Sequence, residues 1–321
     1  MTVLGDPNTY CPLFCLPPSS FLMLEEICIG LIHGFQSKKT PTLLKAPQLQ
    51  RVTIGEPFCQ DTSEPSVLES FVLAAEQLTR LVIRGPKFQS DRTVYSDALR
   101  QCRALEHLTI YLPLLPNQPF LGFDEKNSLS LPALRTLDIT YRQMTGNGVN
   151  LIRCLTCPRL EGLALAWRGQ NLLDLIMDAS NFQSRSGVAF MDLRLDLRGI
   201  GPLSEQQSSF VTEQLVRLLT IFDAVTNFKL LSTVYDIDHL IQVLTWDESQ
   251  LKLLPRLRIL EFDQRAAASG QHSASHLEAM VSSCCVGNER LQAVILYGSQ
   301  FEQDIVRIRE RKLGIELHYH I

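Results

Sequence analysis

The residues whose types and spacing could support chemistry are few and scattered. Cys154 and Cys157 form one CxxC motif, the spacing with which two thiolates hold a zinc ion, but no second pair completes a tetrahedral site. Cys284 and Cys285 are adjacent and isolated. We interpret Cys157 as part of a buried turn and the adjacent pair as packing residues at a helix end. The sequence therefore predicts no metal site.

Two histidine pairs have spacings that could place them side by side. His272 and His276 would share one face of a helix, and His318 and His320 would share one face of a strand. Neither pair has an evident third ligand, so we expect a solvated helix start and a polar edge strand. No GxGxxG, Walker A, HExxH or GxSxG motif occurs. We predict that the protein is not an enzyme and carries no cofactor.

The charge and composition exclude several classes of partner. Thirty basic residues against 34 acidic residues give a net charge of -4, which disfavours nucleic acid. A basic run at 307–312 is typical of cations at a helix C-terminus, with a localisation signal as the alternative. No stretch approaches the roughly 20 apolar residues of a spanning helix, so no membrane association is expected. The nine scattered cysteines and the absence of a signal peptide predict an intracellular protein, cytoplasmic, nuclear or both.

The pattern apolar-x-x-apolar-x-apolar recurs ten times, about 30 residues apart on average. Of the 30 positions that should be apolar in these ten copies, 29 hold an apolar residue. The frames begin at Leu24, Leu49, Leu78, Leu105, Leu134, Leu160, Phe190, Phe228, Leu257 and Leu291. Because side chains alternate across a strand, the second and third apolar residues point to the core and their neighbours point outward. In the frame at Phe228 this count places Leu230 and Ser232 outward. Each frame therefore predicts one strand.

A pattern that recurs just before the strands predicts a buried turn into each of them. Small or apolar residues stand three positions before the first apolar residue, at Ala46, Ala75, Cys102, Leu131, Cys157 and Leu254. Prolines follow at 47, 132, 158 and 255. The segments between strands predict helices over 66–77, 236–254, 273–283 and 301–312. A capping box at 204–207 opens another, and 315–321 alternates as a last strand.

A strand and a helix repeated every 30 residues predict an α/β leucine-rich-repeat solenoid. We expect about ten irregular repeats in a curved horseshoe, with parallel strands on the concave face and helices on the convex face. The solenoid spans residues 21–321, within which 301–321 forms a helix–strand cap. Residues 1–20 are expected to be a loosely ordered segment.

The segments 46–54, 131–139 and 254–262 are the ones that resemble a known family. The sequence resembles leucine-rich-repeat proteins, and more specifically the repeat region of fungal F-box-associated members. The resemblance implies that the repeats hold a protein substrate, while an upstream F-box docks a Skp-type adaptor of a cullin ubiquitin ligase. No F-box precedes Leu24, so adaptor binding would need one upstream of this sequence. The Asn or Cys that often follows the strand in this family has no consistent counterpart.

The outward strand positions are the predicted partner-binding surface. The early repeats present cations and the later ones carboxylates, which suggests a concave face of two charge signs. The candidate residues are Arg51, Arg80, Arg84, His107, Tyr111, Asp138, Asp192, Arg194, Asp196, Glu261, Asp263 and Tyr297. The alternative is that these charges only keep a sheet face hydrated.

The leading hypothesis is a non-enzymatic protein–protein interaction module, resembling the substrate-recognition solenoid of an F-box-type ubiquitin ligase. The alternative is a free-standing regulatory repeat protein, such as an inhibitor or a GTPase-activator-like binder, unconnected to ubiquitin ligation.

Overall fold

The chain folds into two compact units, each built on parallel strands. The computed structural model describes residues 2–5, 16, 18–31, 46–55, 75–84, 93–112, 128–141, 151–167, 173–198, 205–232, 237–245, 253–264, 274–285, 291–311 and 313–320. Unit 1 comprises Met1–Leu160 and Arg185–Val188, and unit 2 comprises Glu161–Ser184 and Ala189–Ile321. The α/β class and the long run of parallel strands that the sequence predicts are confirmed.

Unit 1 contains six parallel strands that pair in chain order. They are β1 (Thr2–Gly5), β2 (Glu26–Leu31), β3 (Arg51–Gly55), β4 (Arg80–Arg84), β5 (His107–Leu112) and β7 (Thr136–Tyr141). The short strands β6 (Leu129–Ser130) and β8 (Leu155–Thr156) form a separate parallel pair. The described helical segments are α1 (Thr93–Gln101), α2 (Leu151–Cys154) and the 3-10 turns Pro18–Phe21 and Ala75–Gln77.

Unit 2 also contains six parallel strands in chain order. They are β9 (Gly162–Trp167), β10 (Asp192–Asp196), β11 (Asn227–Leu231), β12 (Ile259–Asp263), β13 (Ala293–Tyr297) and β14 (Glu316–His320). The helices are α3 (Leu173–Ser186, ending within unit 1), α4 (Glu205–Ile221), α5 (Asp238–Leu244), α6 (Ala274–Cys284) and α7 (Glu302–Glu310). Helices α4 to α7 pack one against the next. None of the helices within the described ranges combines the length and the apolar character needed to cross a bilayer.

One backbone arrangement opens nearly every strand and fixes its register. The carbonyl of Glu25, just before β2, accepts hydrogen bonds from the N–H groups of Gln50 (2.9 Å) and Arg51 (3.0 Å). The next repeat copies it, because the Gln50 carbonyl accepts from Thr79 and Arg80. The same double acceptance occurs at Thr79, Glu106, Glu161, Met191, Thr226 and Arg258. Neighbouring strands therefore start in phase, and equivalent side chains form rows across each sheet.

The predicted turn into the strands is confirmed. The N–H of Leu49 donates to the carbonyl of Ala46 (3.1 Å), and Leu134 donates to Leu131 (3.2 Å), which are the closing bonds of β-turns. Proline suits the second position of such a turn because its φ is already set. Ala46 and Leu131 are each 1% exposed. The turns therefore bury the residue that opens each of them.

Side-chain hydrogen bonds to backbone carbonyls connect consecutive segments at two places. Gln77 Nε2 donates to the carbonyls of Ala46 (2.7 Å) and Leu49 (2.9 Å), in the turn one repeat earlier. The Arg185 guanidinium donates to the carbonyls of Ile152 and Leu155. Gln77 thus satisfies carbonyls of a turn, and Arg185 satisfies carbonyls of α2 and β8.

The frame at Phe228 is wrong by three residues. Phe228 pairs with Leu193, and Leu230 pairs with Leu195, so both are inward positions. Leu230 and Ser232 are each 1% exposed, not outward as the sequence count placed them. The true frame begins at Val225, whose N–H closes the turn with the Phe222 carbonyl. The sequence itself favours the true frame, because Val225, Phe228 and Leu230 are all apolar, whereas Thr233 occupies the third position of the frame at Phe228.

The structure confirms some of the predicted helices and corrects the limits of others. Helix α4 follows the proposed capping box, although position 204 lies outside the described residues, and α6 and α7 match 273–283 and 301–312. Helix α5 ends at Leu244, well before the predicted limit of 254. The segment 56–74, and with it most of the helix predicted over 66–77, lies outside the described residues. Strand β1 occupies four residues of the segment predicted as irregular, and β14 confirms the last strand.

The corrected frame makes a direct prediction. Leu230→Ala should lower the free energy of unfolding by about 2–5 kcal/mol, because it empties a core site. The matched change at the outward neighbour, Lys229→Ala, should cost at most about 1 kcal/mol. Urea denaturation followed by circular dichroism measures both. A larger loss for Lys229→Ala would restore the original frame.

The Gln77 bonds can be tested in the same way. Gln77→Ala should cost about 1–3 kcal/mol, because two carbonyls of the preceding turn lose a donor. Gln77→Glu should cost more, since a carboxylate would face those carbonyl oxygens. The exposed neighbour provides the control, and Glu76→Ala should change the stability by at most about 0.5 kcal/mol. Equal effects at positions 76 and 77 would contradict the assignment.

Candidate functional site

The outward positions of β3, β4, β5 and β7 form what we call the unit 1 strand face. Its first row follows the register Arg51, Arg80, His107 and Thr136. The register sets neighbouring strands about 4.8 Å apart, so these four side chains stand next to one another. The rows exist because the double backbone bonds start each strand in phase. The face therefore gathers cations from repeats that lie far apart in the chain.

Arg51 is neutralised within the face. Its Nε lies 3.0 Å from Glu26 Oε2, and a terminal nitrogen lies 3.6 Å from Glu25 Oε2. All three side chains are more than 40% exposed, so the pairs contribute little to stability. They still lower the positive potential at this end of the row. Arg80 stands beside Arg51 in register without such compensation.

Arg80 and Arg84 are the uncompensated cations of the unit 1 strand face. Both are exposed, and neither forms an ion pair with any residue in the described part of the chain. The Arg84 guanidinium carbon lies 5.8 Å from the centre of the Tyr111 ring, in cation–π range. Val82, between the two arginines, is only 4% exposed. The result is two separate positive points with an apolar residue between them.

The neighbouring strands add polar groups to the same face. His107 Nδ1 lies 2.6 Å from Thr136 Oγ1, which fixes the imidazole beside Arg80. Asp138 is half-buried two positions further along β7 and is thus the one predicted carboxylate of this face. The structure therefore brings together the six predicted unit 1 candidates on one side of the sheet.

Two of the predicted carboxylates of unit 2, Asp196 and Glu261, are paired with cations. Asp196 accepts from Arg198 Nε (3.0 Å) and a terminal guanidinium nitrogen (2.6 Å), and also from the Arg198 backbone N–H. Burial by itself would raise the pKa of Asp196, but these bonds and the charges of Arg198 and Arg194 lower it below the ordinary value. The bonds to Asp196 and the charges of Asp196 and Asp263 raise the pKa of Arg198, against burial.

Glu261 is compensated by Lys229, a residue that the misplaced frame concealed. Lys229 Nζ donates to Glu261 Oε1, and it lies 5.7 Å from the Tyr297 ring centre. The Tyr297 ring stacks on His320 with centroids 4.7 Å apart.

The remaining predicted residues of unit 2 differ in their surroundings. Asp192 accepts from Asn227 Nδ2, Asp263 is 6% exposed, and Arg194 is exposed. The sequence analysis missed Lys229 and Asn227 because the misplaced frame at Phe228 did not count them as outward positions. It missed Arg198 because that residue lies beyond the end of its strand.

The two units therefore differ in how their outward charges are satisfied. In unit 2, Asp196 is paired with Arg198 and Glu261 with Lys229, while Asp192 accepts from the neutral amide of Asn227. In unit 1, Arg80 and Arg84 form no ion pair within the described part of the chain. Two of the carboxylates that the sequence predicts for the later repeats are therefore neutralised by nearby cations.

The cysteines and histidines do not assemble a reactive site within the described residues. Cys154 and Cys157 are 2% and 0% exposed, which confirms their packing role, and burial raises the pKa of Cys157 to about 12, opposed by Arg185. Burial likewise raises the pKa of Cys102 to about 12. His276 lies 3.7 Å from Asp238, while His272 falls outside the described residues. The described ranges hold no group of three potential metal ligands.

Comparison with known proteins adds no assignment, since no protein-family model and no curated protein sequence matches the chain. The geometry of the strand faces is thus the basis for any functional proposal.

The Asp196–Arg198 pair predicts a specific titration. Arg198→Ala should raise the pKa of Asp196, because burial then acts without the opposing hydrogen bonds. In the native protein the pair contributes stability above the unfolded pKa of about 3.9, which is lost as the pH falls through the lowered folded value. Carboxyl carbon NMR titration measures the shift. Arg194→Ala should give a smaller rise, and an unchanged pKa in Arg198→Ala would refute the assignment.

Proposed function

We propose that this protein is a non-enzymatic protein-binding module that uses its outward strand positions as the binding surface. The repeated strands favour a leucine-rich-repeat solenoid of about ten irregular repeats, curved so that the strands line the concave face. Repeat proteins of that architecture bind partners along the strand face, where rows of side chains can be varied without disturbing the core. Neither a cofactor nor a nucleic-acid or membrane partner is part of the proposal.

The observation that carries this proposal is the uncompensated pair Arg80 and Arg84. Arg80 stands next to Arg51 in register, and because Arg51 is paired with Glu25 and Glu26, the positive charge left unpaired at this point of the row is that of Arg80. In unit 2, outward charges are neutralised by a neighbouring strand, as in Lys229 and Glu261, or by a residue just beyond the same strand, as in Asp196 and Arg198. Leaving two arginines exposed beside a fixed imidazole and a tyrosine ring creates a surface suited to an acidic partner.

The resemblance to F-box-associated repeat proteins extends the proposal to a ubiquitin ligase. The module would then hold a substrate protein, and a Skp-type adaptor would bind an F-box supplied upstream. A regulatory repeat protein unconnected to ubiquitin ligation would use the same face. Co-purification of a Skp-type adaptor with the protein separates these two roles. An adaptor bound stoichiometrically supports the ligase role, and its consistent absence supports the regulatory one.

Charge reversal tests the binding face. The double variant Arg80→Glu, Arg84→Glu should reduce partner capture at least about tenfold, because two attractive contacts become repulsive. Partners recovered with the native protein by crosslinking and affinity capture provide the assay. Arg103→Glu is the matched control, since Arg103 is exposed in a turn of the same unit and not on the strand face.

Native-like circular dichroism of the double variant must accompany the result. Both side chains are exposed, so the fold should be retained. Capture equal to that of the native protein would exclude the unit 1 strand face as the binding surface.

A further inference from the structure

The arrangement of the two uncompensated arginines limits what can bind to both at once. Arg80 and Arg84 lie four positions apart on β4, so both project from the same side of the strand. At about 3.3 Å per residue their Cα atoms are about 13 Å apart. Val82 separates them and carries no charge. When both side chains project straight from the strand, a ligand that engages both arginines presents two anionic groups at about this distance with an uncharged stretch between them.

We infer that the partner contributes an extended peptide segment with two acidic side chains four residues apart, and this inference rests on the proposed function. In an extended chain, residues i and i+4 share one face and lie about 13 Å apart, which matches the arginine spacing. In a helix the same two residues lie only about 6 Å apart along the axis. A helical acidic segment with this spacing would reach one arginine and not both.

The two arginines offer different anion sites. Beside Arg80 the His107 ring is held by Thr136, so one acidic side chain meets a guanidinium with an imidazole next to it. The Arg84 guanidinium carbon lies 5.8 Å from the centre of the Tyr111 ring, so the second anion site has an aromatic ring beside it. A guanidinium whose N–H edge is free can bind a carboxylate through two hydrogen bonds. Gly55, the register partner of Arg84 on β3, has no side chain at that position.

The experiment compares two labelled nine-residue peptides of equal net charge by fluorescence anisotropy with the full chain. One carries glutamates at i and i+4 in a Ser/Gly background, and the other carries them at i and i+3. The i,i+4 peptide should bind about tenfold more tightly, because only its two glutamates share a face. Arg80→Ala or Arg84→Ala should reduce its affinity to that of the i,i+3 peptide. Arg103→Ala should leave it unchanged.

Several outcomes would overturn the inference. Equal affinity for the two peptides removes the spacing argument. A single-stranded oligonucleotide of equal charge that binds more tightly, and loses binding in Arg80→Ala, would assign the face to nucleic acid.

The proposed function can fail or survive independently. If neither peptide binds but charge reversal at 80 and 84 still abolishes partner capture, the acidic-segment inference fails and the binding face stands. If capture is also unaffected by charge reversal, the proposed function itself fails.

Discussion

The carbonyl that receives two N–H groups at the start of each strand is the interaction on which the rest of this structure depends. It ties residue i of one repeat to the same point of the next, as at Glu25, Gln50 and Thr79. A slip of one residue would exchange the inward and outward sets of a strand, burying arginines and exposing leucines. With the register fixed, each inward row is a continuous apolar stack. Leu81, Leu108 and Leu137, for example, are each 1% exposed.

The same constraint creates both the stability and the surface. A core position is shared with the repeat on either side, so its side chain is selected for packing. An outward charge is either balanced by a nearby residue of the chain or left unpaired. Unit 2 shows the first solution in Lys229 and Glu261. Unit 1 shows the second in Arg80, whose neighbour Arg51 is already paired with Glu25 and Glu26.

The sequence predicts the strands well because its periodic apolar positions report burial directly. It fails at β11, where two frames three residues apart compete: Val225, Phe228 and Leu230 are all apolar in the true one, whereas Thr233 fills the third position of the frame at Phe228. The turn bond from Val225 to Phe222 decides between them, and it belongs to the backbone. Helices α1 and α3 were not anticipated, since helices that pack on a sheet need only loosely spaced apolar residues. The candidate face was predicted as a set of residue types, but compensation between strands depends on contacts across repeats.

The contrast between the units also explains why paired charges are a poor binding surface here. Asp196 is held by a two-point contact with Arg198, and a partner that used Asp196 would have to replace both bonds while removing the pair from water. Arg80 requires no such exchange, since a partner carboxylate displaces only water. Between two faces with similar numbers of charged residues, the favourable free energy of binding is therefore greater at the uncompensated one. For this reason the proposed recognition is assigned to β4 and its neighbours, whereas in unit 2 Lys229 and Glu261 join neighbouring strands and Arg198 binds Asp196 at the end of the same strand.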